Sequence, residues 1–129
     1  MELIDRYGPW AIMAGGTEVT FRAFALQLAA AGIHCVLIAR REQPLLELAG
    51  EIQRAYAVEC LTVSLDLSLP DACERIVAAV GEREVGLYIS NAGADPNGAH
   101  FLERDVSAWE ALVNRNLLTT LRCCHHFAT

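Results

Sequence analysis

Four short apolar runs, separated by stretches of helical periodicity, constrain this chain more than any other feature. Trp10 to Ala14 (WAIMA) runs into Gly15-Gly16, and His34 to Ala39 (HCVLIA), Cys60 to Leu67 and Val85 to Ser90 (VGLYIS) follow. Runs this short, rich in branched residues and bounded by turn formers, are buried strands. Between them, Phe21, Phe24, Ala25 and Leu28 recur at helical spacing up to Gly32, a C-terminal stop. Pro44 suits the first turn of a second helix with the stripe Leu45, Leu48, Ala49 and Ile52. Ser68, Pro70 and Asp71 start a third, carried on by Cys73, Ile76, Val77 and Val80. A last helix runs from about Val106, with Trp109, Leu112, Val113, Leu117 and Leu121 predicted on one buried face. Alternation of this kind demands right-handed crossovers, and so a doubly wound α/β architecture: about four parallel strands with helices on both faces.

Size and charge narrow the function classes. The 129 residues, 53% hydrophobic, suit one core, and residues 1–129 are expected to form a single domain. The formal net charge is −6 and every basic residue is Arg, so no nucleic-acid partner is expected. The most apolar stretch, Ala23 to Ala39, is broken by Gln27, Gly32 and His34 and is no membrane span. The start, Met1 to Gly8, is polar and mixed in charge rather than leader-like, which predicts a cytoplasmic protein. Five cysteines without a CxxC spacing read as reduced and mostly structural. Cys123 and His126 share a helical face, but two ligands do not make a zinc site, and no metal is expected.

Chemistry concentrates at the strand ends. The first turn, Ala14-Gly15-Gly16-Thr17-Glu18-Val19, offers backbone N–H groups to a phosphate at a helix start. The turn Ser90-Asn91-Ala92-Gly93 follows the fourth strand, where open α/β sheets bind ligands. Each is also an ordinary way to leave a strand. Together with Asp66 after the third strand, and with Trp109 followed by Asn116, they resemble in order and spacing the short-chain dehydrogenase/reductase family, from about Trp10 to Thr129. The resemblance implies a Rossmann-like fold and an oxidoreductase that uses a nicotinamide dinucleotide on a carbonyl or alcohol. It also implies that Gly15, Gly16 and Thr17 meet the pyrophosphate, and that Asp66 and Leu67 meet the adenine. Asn91, Ala92 and Gly93 would border the cofactor, and Asn116 would hold a proton-relay water.

Ala39 occupies the position where an acid would accept a ribose 2′-hydroxyl, and Arg40-Arg41 follow at once. A charge-assisted hydrogen bond to a 2′-phosphate contributes about 1.5–3 kcal/mol, roughly one to two decades of affinity, so NADP(H) is expected over NAD(H). The glycine pattern departs from the family: Ala14, Val19 and Phe21 stand at its Thr, second-Gly and third-Gly positions. Val19 and Phe21 would put side chains where backbone approaches the pyrophosphate and where helix meets strand. Glu18 beside a phosphate would cost roughly 1–3 kcal/mol. The family's proton relay, a Tyr with a Lys four residues on, is absent, for the chain has no Lys at all. Two readings therefore stand: the cofactor-binding part of an NADP(H)-dependent oxidoreductase, and a degenerate Rossmann module serving as an interaction or structural protein. An apolar fourth strand left at a sheet edge predicts either further chain that covers it or a homo-oligomer that associates through strand 85–90 and the last helix.

Overall fold

The computed structural model describes residues 2–15, 18–91 and 99–128; Gly16, Thr17, Ala92 and Gly93 lie outside the described residues, as does the side chain of Glu18. A short helix α1 (Leu3–Tyr7) precedes β1 (Trp10–Ala14), α2 (Glu18–Ala30), β2 (His34–Ala39), α3 (Glu42–Ala55), β3 (Cys60–Ser64), α4 (Ala72–Val80) and β4 (Val85–Ser90). A 3-10 turn (Phe101–Glu103) then leads into one long helical rod. The rod is α5 (Val106–Val113), a π turn (Asn114–Leu118) and α6 (Thr119–Phe127).

The strands form one sheet in the order β3-β2-β1-β4, and all three pairings are parallel. Because successive strand side chains point to opposite faces, each strand feeds two cores. Ala11, Met13, Cys35 and Leu37 pack with Phe21, Ala25, Leu28, Leu45, Leu48 and Ile52 from α2 and α3. Ile12, Ala14, Val36 and Ile38 pack on the other face with Ile76 and Val80 of α4 and Cys123 of α6. This is the doubly wound Rossmann-like arrangement that the alternation of runs predicts. Close approach fixes one further residue: a Cβ on Gly86 would lie 2.4 Å from the Tyr7 carbonyl oxygen, so only glycine lets β4 pass under the α1–β1 link.

Three local expectations are corrected. The third strand stops at Ser64, three residues short of Leu67, because the Asp66 carboxylate accepts the Ser68 backbone N–H (2.9 Å) and hydroxyl (2.7 Å) and curls the chain out of the sheet. A short helix, α1, stands before the first strand, where the sequence reads as a polar start, and the helix after the glycine turn, α2, begins at Glu18, three residues ahead of Phe21, the first residue of its apolar spacing. The apolar stripe of the last helix is not the face that the sheet covers: Val113, Leu117 and Leu121 are exposed, and Thr119 and Cys123 are buried. Asn116, placed by periodicity on the apolar face, is exposed as well. The Thr119 N–H reaches back to the Asn114 carbonyl, closing the wider π turn and slipping the helical phase below it.

Candidate functional site

Backbone hydrogen bonds lace the carboxyl ends of all four strands together. The Gly15 N–H donates to the Ile38 carbonyl (2.8 Å), Leu65 N–H to Ala39 (3.0 Å), and Asn91 N–H to Ala14 (3.0 Å). The Ser64 hydroxyl donates to the Arg40 carbonyl (3.0 Å). Gly15 turns away from β1 with φ +71°, a left-handed conformation that suits glycine and starts the turn into α2. The lacing brings Gly15, Arg40, Asp66 and Asn91, four residues expected from sequence to line the site, onto one edge of the sheet.

The two side chains that stand at glycine positions of the pattern have different fates. Val19, in the first turn of α2, is 80% exposed and fills no space within the protein. Phe21 is 6% exposed and turns inward, joining the core beside Ala25, Leu45 and Leu48. A buried phenyl ring therefore stands in the core beside α3 where the family pattern has glycine.

Where β2 ends, a cavity of about 370 Å³ opens between α2 and α3, with Arg40 and Arg41 at its rim and Phe21 and Leu45 in its wall. Arg22 of α2 and Glu51 of α3 also line it and form a bidentate ion pair. That hydrogen bonding holds the Glu51 carboxyl below its usual range, with burial opposing and the charge of Arg22 and Arg54 assisting.

Asp66 stands on the other side of the β2 end. Burial would push its carboxyl up, but the Ser68 hydrogen bonds and the positive fields of Arg40 and Arg115 outweigh burial, and the net is a lowered pKa. An ionised carboxylate with an oxygen edge near a strand end can accept N–H donors from a ligand. The Leu67 side chain is buried in the core and its carbonyl accepts the Thr119 hydroxyl at 2.7 Å. Asn116 lies in the π turn one helical step before Thr120, whose hydroxyl meets that of Ser90 at 2.9 Å, at the end of β4.

Sequence reasoning missed three contacts around this edge: the Arg115–Asp66 ion pair at 3.8 Å, the Thr119–Leu67 hydrogen bond, and the Arg122–Pro70 hydrogen bond at 2.9 Å. The available signal was the spacing of 115, 119 and 122, which puts three polar side chains on one helical face.

The model of the short chain dehydrogenase family matches residues 9–129. The chain belongs to that family. Among the relatives of this short-chain dehydrogenase, a 7beta-hydroxysteroid dehydrogenase from Collinsella aerofaciens is 35% identical over 127 residues, 98% of this chain and 48% of the relative. A very-long-chain 3-oxoacyl-CoA reductase from Laccaria bicolor is 35% identical over 121 residues, 92% of this chain and 36% of that protein. A solved 7beta-hydroxysteroid dehydrogenase structure superposes with TM-score 0.91 at 35% identity, covering 99% of this chain and 50% of its own. The chain thus spans about half the length of these relatives and carries the amino-terminal Rossmann portion of the family. No helix among the described residues is long and apolar enough to cross a membrane.

Proposed function

We propose that this chain is the cofactor-binding part of an NADP(H)-dependent short-chain dehydrogenase that interconverts a carbonyl and an alcohol. The observation that carries the cofactor choice is the β2 end. Ala39 stands where an acid would repel a 2′-phosphate, and Arg40 and Arg41 edge the adjoining cavity. The described residues fit the adenosine end of such a dinucleotide: Gly15 frees the turn, the guanidinium groups suit the phosphate, and Asp66 is ionised and close by. Gly16 and Thr17 take the pyrophosphate in this reading, Asp66 and Leu67 the adenine edge, and Asn91, Ala92 and Gly93 the nicotinamide side. When bound, the dinucleotide supplies or accepts hydride.

Asn116 holds the water of a proton relay whose Tyr and Lys are not among these 129 residues, since the sequence contains no Lys. The names of the relatives describe hydroxysteroid and 3-oxoacyl substrates, both secondary alcohol and ketone couples, which supports that substrate class. The protein functions in the cytoplasm, as a single partial domain that self-associates through the β4 edge.

Titration with NADPH and NADH tests the reading. NADPH is expected to bind about one to two decades tighter than NADH. A folded sample that binds neither would replace this reading with that of a Rossmann module serving as an interaction protein, and equal affinities would remove the role of Arg40 and Arg41. Sedimentation gives the oligomeric state, and a monomer at high micromolar concentration would refute the self-association.

A further inference from the structure

The long helical rod is held to the sheet by Cys123 and Phe127 packed on one face and by polar ties to the loop after β3, and not by Leu117 or Leu121. Arg115, Thr119 and Arg122 lie one turn apart along one face, and they engage Asp66, Leu67 and Pro70 of the single loop that follows β3. The opposite stripe, Val113, Leu117 and Leu121, is exposed and contributes nothing to this attachment. Of the three ties only Arg115–Asp66 joins the loop to the π turn itself, and the Arg115 side chain is 15% exposed, so water screens it little. A π turn is a rare single-turn insertion in an α-helix, frequent at functional sites, and here it carries both Arg115 and Asn116. Successive helical side chains stand about 100° apart, so anchoring residue 115 sets the direction of residue 116.

We infer that Arg115 is a positioning residue that locks the π turn bearing Asn116 to the Asp66 carboxylate, so that what binds at Asp66 is felt at Asn116. The lock itself stands on the geometry above. Only its response to nucleotide rests on the reading given under Proposed function.

Backbone amide exchange of the intact protein tests the lock. Arg115→Met keeps the aliphatic stem and removes the charge. Asp66→Asn keeps an oxygen for both Ser68 donors and removes the opposite charge, some fifty residues away in sequence. Each is expected to speed exchange of the amides at 114–118 about fivefold, the scale of one partly screened ion pair, while strand amides stay protected. Combining them should add nothing further, and Arg115→Lys should restore most of the protection. Wild-type exchange in Asp66→Asn, or faster exchange in Arg115→Met with no rescue by Arg115→Lys, would overturn the lock, and Asp66→Asn decides alone if the Met variant does not fold.

Adenosine 2′,5′-bisphosphate then probes the coupling. It should slow exchange at 114–118 in the wild type and leave Arg115→Met unchanged. Binding without any change at 114–118 would overturn the coupling. Absence of binding would overturn both the coupling and the cofactor reading, with the lock still judged by the variants.

Discussion

Truncating Phe21 should cost this fold far more than truncating its neighbour in the altered glycine turn. Phe21 is 6% exposed and packed among Ala25, Leu45 and Leu48, and deleting such a ring costs about 3–5 kcal/mol in lost transfer energy and cavity. Alanine recovers roughly 0.5 kcal/mol of helix propensity, which leaves about 3 kcal/mol for Phe21→Ala. Glycine, the family's residue, lies about 1 kcal/mol below alanine in helix propensity, so Phe21→Gly should lose about 4 kcal/mol. Against a typical total of about 5–15 kcal/mol, that is a large share. Val19→Ala, at a side chain 80% exposed, should stay within about 0.5 kcal/mol.

Urea unfolding measures all three variants. With a slope of about 1–3 kcal/mol/M, the Phe21→Ala midpoint should fall by about 1–3 M and the Val19→Ala midpoint should barely move. A loss below about 1 kcal/mol in Phe21→Ala would show that the ring is not packed into the core as described. The inward ring also implies that writing glycine back into positions 19 and 21 does not simply reopen a phosphate cradle. Any gain in nucleotide affinity would come with a weaker fold.

Arg40→Ala should weaken NADPH binding by about one to two decades and leave NADH binding within about twofold; calorimetric titration reads both, and an equal loss for the two cofactors would refute a 2′-phosphate contact. Gly86→Ala should destabilise by about 1–3 kcal/mol or more, since the new methyl would meet backbone carbonyl oxygens of Tyr7 and Gly8, and an unchanged urea midpoint would disprove that close approach. Burial pushes the Cys35 and Cys123 thiols up to about 12. An unfolded thiol titrates near about 8.5, so their contribution is complete below that pH and is lost as pH rises toward about 12. The urea midpoint should therefore fall between about pH 8.5 and 12. Iodoacetamide at neutral pH should label exposed Cys124 while sparing buried Cys35 and Cys123, and rapid labelling of either buried thiol would contradict the packing.

The strands were legible because their burial is written directly into side-chain type. WAIMA, HCVLIA and VGLYIS begin and end in the sheet where the sequence places them; the two central strands are buried at nearly every position, and the edge strand β4 keeps the same largely apolar type. The third strand was overdrawn at Leu67 for an instructive reason: Leu65 and Leu67 are buried, as their type predicts, but the chain reaches that burial through a turn closed by Asp66 on Ser68. Apolar type alone does not report which backbone path delivers a residue to the core.

The last helix carries the same lesson further. Leucines at 117 and 121 suggested an inward face, yet the inward face holds Arg115, Thr119 and Cys123. A polar residue can point inward wherever a loop presents a carbonyl or carboxylate that needs a partner, and the loop from Asp66 to Pro70 presents three such acceptors in a row. Periodicity describes one element at a time, whereas this orientation is set by the acceptors of another element fifty residues earlier. The site residues named from motif spacing follow suit. The positions of Gly15, Arg40, Asp66 and Asn91 on the strand-end edge could be read from the motif order, because the sheet dictates them, while the lock on Asn116 through Arg115 could not, because it depends on which oxygens the loop after β3 presents.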